Sequence, residues 1–227
     1  MAEAQPHARR DQPLVIRVTH WLNVPLLALM AMSGLQILVA YPYLGPRGAM
    51  YRWWPLQGFV PPDLLRAGGW LAGARALHFS TMWLLALNGL VYLVFVLASG
   101  EWRRRTFWPK RDTGNAVGTA LHYLRIRPAP PQGFYNGLQR LAYTSAIGLG
   151  VLLVLSGLAI WKPVQFDVLA AILGGYDSAR TLHLLALIAI AVFVVVHVVT
   201  VLLHPKTFPP MLTGGPERVP SRDDQQA

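Results

Sequence analysis

The stretch RTLHLLALIAIAVFVVVHVVTVLL, residues 180–203, decides the fold. Crossing the hydrocarbon core of a bilayer takes about 20 predominantly apolar residues in a helix, and this run supplies them without interruption. It does not alternate and is too long for a strand. It also carries His183 and His197 in the apolar run, where an ionisable group is costly and usually functional. Working outward, three more stretches have the same character: residues 14–39, 74–98 and 138–161. A helix satisfies its own backbone in lipid. The sequence therefore predicts an all-α integral membrane protein, a bundle of four transmembrane helices.

Composition agrees. Of 227 residues, 54% are hydrophobic and 13% charged, and the mean hydropathy is +0.38, whereas a soluble domain carries about 25% charged residues. The absence of cysteine excludes a disulfide framework, a thiolate metal or iron–sulfur site and covalent c-type haem attachment. The first span follows Arg9 and Arg10 as a signal peptide would, but it is too long for a signal h-region, carries His20 and Asn23, and lacks a small-residue cleavage site, so it reads as a mature helix.

The net charge of +10 would suggest nucleic acid on a soluble chain. Here its distribution matters more. The N-terminal leader 1–13, the loop 99–137 and the tail 204–227 share one side of the membrane. With the charges at the adjoining helix ends, that side holds 14 of the 20 Lys and Arg residues. The positive-inside rule places both termini in the cytoplasm, with the lipid bilayer as partner and no nucleic acid. The basic run Arg103–Arg104–Arg105 reads as a stop-transfer and anionic-lipid contact. The opposite loop, 40–73, holds Tyr41, Tyr43, Tyr51, Trp53, Trp54, Phe59 and Trp70. It reads both as an interfacial aromatic belt and as a docking surface for a periplasmic partner.

The spans repeat in pairs. Ser33-Gly34-Leu35-Gln36-Ile37 is echoed by Ser156-Gly157-Leu158-Ala159-Ile160 at an offset of 123, which sets Arg17 opposite Arg140 and His20 opposite Tyr143. Leu77-His78 is echoed by Leu182-His183 at an offset of 105, which sets Tyr92 opposite His197. Two helical hairpins related by an axis along the membrane normal would produce this pattern.

Four histidines lie in the apolar spans: His20, His78, His183 and His197. At 1.5 Å per residue, His20 and His197 each sit roughly 9 Å below the cytoplasmic boundary, and His78 and His183 about 5 Å below the other. Equal depth pairs His20 with His197 and His78 with His183. His183 and His197 are 14 residues apart, about 21 Å of rise and within about 40° of one helix face. Two imidazoles meeting inside a bundle suit haem iron. Zinc would want four ligands, and neither cysteine nor a nearby acid is available. Glycines and serines such as Ser33, Gly34, Gly148, Gly150, Ser156 and Gly157 leave room for a macrocycle, and are equally what close helix packing uses.

This constellation resembles the bacterial di-haem cytochrome b561 and nickel–iron hydrogenase b-type cytochrome superfamily, over roughly residues 13–212. The motif Arg17-Val18-Thr19-His20-Trp21-Leu22-Asn23 resembles the superfamily's opening. The long aromatic first loop (40–73), the motif Tyr135-Asn136-Gly137-Leu138-Gln139-Arg140-Leu141-Ala142-Tyr143 and the ending His204-Pro205-Lys206 with Met211-Leu212-Thr213-Gly214 resemble its thiosulfate reductase cytochrome b branch. The resemblance implies two haem b groups, held by the pairs His20–His197 and His78–His183. It implies electron transfer between a periplasmic oxidoreductase, of the sulfite-oxidase molybdopterin type in that branch, and the quinone pool. Arg17, Arg75 and Arg180 are candidate propionate contacts. Arg140, Tyr143 and His122 are candidates for the quinone site. The alternatives are a stand-alone cytochrome b561 serving a small diffusible redox species, and a transporter with a histidine proton relay. No nucleophile–base pair, phosphate loop or acidic dyad marks the chain as the subunit that converts substrate.

Overall fold

The computed structural model describes residues 10–49, 51, 58–131 and 135–217. Residues 1–9 and 218–227, together with Arg52, Trp53 and Trp54 of the aromatic loop, lie outside them. Four long helices are present: α1 (Leu14–Ala40), α2 (Leu71–Ala98), α5 (Gly137–Trp161) and α7 (Tyr176–Leu203). Each is long and apolar enough to cross a membrane. Between them lie the short helices α3 (Trp102–Arg105), α4 (Pro109–Tyr123) and α6 (Asp167–Ile172), and α8 (Phe208–Thr213) follows the last span. A two-residue antiparallel pairing of β1 (Arg10–Asp11) with β2 (Pro216–Glu217) is the only β-structure among the described residues.

The long helices start earlier than hydropathy alone suggests. The start of α2 adds residues 71–73 and α7 begins at Tyr176, because the first turn of a helix tolerates polar and small residues that a hydropathy window rejects. Asp177 sits in the first turn of α7, where a carboxylate complements the helix dipole. α4 was not foreseen in the basic loop. Its start is chemically marked: Pro109 occupies the first turn and Asp112 follows, the arrangement favoured at helix N-termini.

Burial is inverted relative to a soluble protein. Ser33, Ser156 and Thr119 are 0% exposed, while Trp83, Leu87 and Val195 are more than half exposed. Small and polar groups face inward and large apolar ones outward, as helices surrounded by lipid require. The chain is a multi-pass membrane protein.

It resolves into two compact units. Of the described residues, one unit comprises those within 10–18, 92–147 and 193–217, and the other those within 19–91 and 148–192. The second unit holds an alanine-lined core of Ala159, Ala170 and Ala179, packed by Ile160, Leu169 and Leu173. Its helices are joined by neutral bonds: the Asn88 amide donates to the Thr19 carbonyl at 2.9 Å and to Asn23 Oδ1 at 2.8 Å. The first unit is held by charge. Asp112, 2% exposed, accepts from Arg140 Nη1 at 2.7 Å, from Arg111 Nε at 2.8 Å and from the Trp108 amide at 2.8 Å. Arg105 donates to Glu101 and to Gln12, both at 3.2 Å.

Candidate functional site

His78 comes from α2 and His183 from α7. Their ring centroids are 6.4 Å apart with an interplanar angle of 66°. The protonation of each ring follows from its neighbour. Ser33 Oγ lies 2.6 Å from the Leu29 carbonyl and 2.9 Å from His78 Nδ1. Ser156 Oγ lies 2.6 Å from the Leu152 carbonyl and 2.9 Å from His183 Nδ1. A hydroxyl has one proton, and a carbonyl can only accept it. With both serine protons on helix carbonyls, Nδ1 of each imidazole must donate, and Nε2 carries the lone pair.

Two neutral imidazoles with unprotonated Nε2 are the donor set that six-coordinate iron takes. Metal–imidazole bonds of about 2 Å, with each nitrogen about 1 Å from its ring centre, put the centroids of two rings on one iron about 6 Å apart. The observed separation fits. Among the described residues no three His, Asp or Glu side chains gather into a set that could hold a bare metal ion, so a porphyrin supplying its own four nitrogens suits this site better than zinc.

Of the other two histidines, His20 lies on α1 with its ring edge-on to Trp21, centroids 5.4 Å apart. His197 lies on α7, stacked on Phe193 at 5.9 Å and 11°. They belong to different units. His183 and His197 share one unbroken helix.

The arginines divide by partner. Arg180 donates to the Tyr43 carbonyl at 2.7 Å and the Tyr41 carbonyl at 3.0 Å, and its guanidinium lies 4.5 Å from the centre of the Tyr41 ring. Arg75 sits over Phe79 at 5.7 Å. Arg17 Nη1 donates to the Leu212 carbonyl at 2.9 Å. The Nε of Arg17 and that of Arg140 are both buried without a hydrogen-bond partner, so the repeat-matched arginines share an unused donor as well as an offset.

The residues expected near a quinone do not gather. Arg140 is engaged with Asp112, and Tyr143 packs edge-on against Tyr135 at 5.5 Å. His122 instead lines a cavity of about 630 Å³ with Tyr123, Arg125, Thr200 and His204. His122 Nδ1 is 3.2 Å from the Arg127 carbonyl and His204 Nδ1 is 3.0 Å from the Thr200 carbonyl. Each Nδ1 is therefore the donor, and each Nε2 is a proton acceptor. On sequence, His204 stands out only through the ending His204-Pro205-Lys206, and the signal that marks the cavity is a second histidine, beside His122, at the end of a span.

Known proteins place the chain. The protein named "Putative protein-methionine-sulfoxide reductase subunit YedZ1" from Azospira oryzae is 41% identical over 204 residues, covering 89% of this chain and 95% of that one. No solved structure matches. The description prokaryotic cytochrome b561 matches residues 11–214, which take in all four long helices and all four intramembrane histidines, and the chain belongs to that family.

Proposed function

We propose that this chain is a two-haem electron conduit, with one haem b between His78 and His183 and a second between His20 and His197, joining a periplasmic oxidoreductase to the quinone pool. Family membership supplies the coarse statement: this is a haem b electron-transfer protein of the membrane. The finer reading is supported above all by the facing imidazoles of His78 and His183, whose Nδ1 atoms are both committed to serines.

When bound, haem supplies a one-electron carrier whose potential depends on axial ligands, hydrogen bonding and burial. The chain's own residues do the rest. The four histidines present Nε2, and the apolar helices exclude water. Arg17, with Arg75 and Arg180, lies near the levels where propionates would emerge, and the unused Nε of Arg17 is available to one. The positive-inside bias puts both termini in the cytoplasm. On that orientation the cavity at His122 and His204 lies at the cytoplasmic boundary. It is the better seat for a quinol headgroup, because Nε2 of either histidine can take a hydroxyl proton as electrons leave. Arg140 and Tyr143 then act behind it, through the Asp112 network and the Tyr135 contact.

The partner is an oxidoreductase subunit docked on the aromatic loop 40–73. The Azospira relative's name makes it a subunit of a protein-methionine-sulfoxide reductase, and an enzyme of that activity, of the sulfite-oxidase molybdopterin type, fits this chain too. The reading is tested by pyridine haemochrome quantitation on the purified chain. Two haem b per chain are expected, falling to one in His183→Ala and to one in His197→Ala. A colourless chain, or a single haem in the wild type, overturns it. Co-elution with a second oxidoreductase subunit separates the conduit from a stand-alone cytochrome, which would turn over alone.

A further inference from the structure

The internal repeat does more than supply His78 and His183. Ser33 and Ser156 are both 0% exposed, and each makes the same contacts: the helix carbonyl four residues back at 2.6 Å, a longer one to the carbonyl three residues back (Met30 at 3.2 Å, Leu153 at 3.3 Å), and a histidine Nδ1 at 2.9 Å. The glycine after each serine lets the ring come close. A Cβ at Gly34 would stand 3.4 Å from His78 Cε1, and one at Gly157 would stand 3.3 Å from His183 Cε1. α1 and α5 thus present the same two-residue seat to the rings of α2 and α7.

We propose that Ser33 and Ser156 are positioning residues that set the electron-donating strength of His78 and His183, equally from the two sides. This rests on those histidines being haem ligands. Each hydroxyl accepts from Nδ1–H, fixes Nε2 as the nitrogen offered to iron and makes the imidazole more basic. A more basic ligand favours the ferric over the ferrous form and lowers the potential. The effect has a ceiling. The serine oxygen is neutral and its proton is engaged with a carbonyl, so it cannot draw the imidazole toward a full imidazolate as a carboxylate would. Matched geometry means matched, additive contributions.

The test uses the full-length, haem-loaded chain in detergent, with redox titration followed optically and with the low-spin ferric spectrum recorded by electron paramagnetic resonance. Ser33→Ala and Ser156→Ala should each weaken the ferric preference of one haem by about tenfold, which is a rise of about 59 mV for a one-electron couple. The double variant should rise by about twice that, and the other haem should not move. The ferric g-values of the affected haem should shift with its potential. Ser33→Thr and Ser156→Thr keep an oxygen on Cβ and should stay near the wild-type potential. Ser99→Ala removes a serine that makes the same kind of helix bond, to the Phe95 carbonyl at 2.7 Å, and should leave both potentials unchanged. An Ala variant that sheds its haem while the Thr variant keeps it supports the same dependence on the hydroxyl. Ala variants that hold their haem with unmoved potentials overturn the proposal, as do Thr variants that shift as far as Ala. Retention of both haems in His183→Ala would mean that the ligand reading had failed instead.

Discussion

The seat around His78 and His183 and the network around Asp112 solve the problem of polarity in a membrane protein in opposite ways. At the histidines every polar group is neutral, and each serine spends its proton on its own helix. At Asp112 a buried carboxylate is paired with Arg140 and Arg111. The first arrangement costs little to bury, so it can lie deep in long apolar helices. The second needs full pairing, and it lies where α4 meets the start of α5, beside residues that can reach water. The repeat shows the same division. Ser33-Gly34 and Ser156-Gly157 keep matching partners, whereas the equally matched Arg17 and Arg140 have diverged, one to the Leu212 carbonyl and the other to Asp112.

The largest expected effect in the charged region is that of Asp112→Ala. It leaves Arg140, 18% exposed, without its counter-charge, and the loss is bounded above by the about 3–5 kcal/mol that removing one member of a fully buried pair costs. Thermal unfolding in detergent should show that loss, with haem absorbance retained until the protein melts. Asn88→Ala should cost less, about 1–2 kcal/mol, by removing the two bonds its amide makes to the Thr19 carbonyl and to Asn23 Oδ1. If Asn88→Ala proves as damaging as Asp112→Ala, the contrast between neutral and ionic regions fails.

Acid sharpens the same contrast. The Asp112 carboxyl is held well below the usual carboxylate range by the hydrogen bond from Arg111, against the opposing effect of burial and with the Trp108 amide and Arg140 assisting. A depressed carboxylate contributes its stability in full above the unfolded pKa of about 3.9. That contribution is lost only as pH falls through the folded value. The melting temperature should therefore be insensitive to this group from pH 8 to about 5 and drop below about 4. Asp112→Asn should start lower and lose that part of the acid-side decline. Smallest of all is Asp63→Ala. Asp63 is 91% exposed in its pair with Arg66, so a change within about 1 kcal/mol is expected from the same melting curves.

Much of this was legible in the sequence. Hydropathy locates the four long helices within a few residues, because nothing but a helix can carry 25 or more mostly apolar residues through lipid. Equal depth pairs His78 with His183, and the structure sets their ring centroids 6.4 Å apart at an interplanar angle of 66°. The role of the serines was not legible. Ser33 and Ser156 stand out as part of an echo, but a hydroxyl's partner depends on which way a neighbouring helix is turned. α4 was hidden because its polar face lowers its hydropathy. Arg180, expected as a propionate contact, also bonds two loop carbonyls, and no pattern in the chain encodes a bond to backbone 137 residues away.

That bond has a mechanical consequence. The start of the aromatic loop is tied, through Tyr41 and Tyr43, to a residue less than one helical turn from His183. A load on the loop at these two tyrosines pulls on the helix that carries His183, so displacement of the loop reaches that imidazole with no residue touching both.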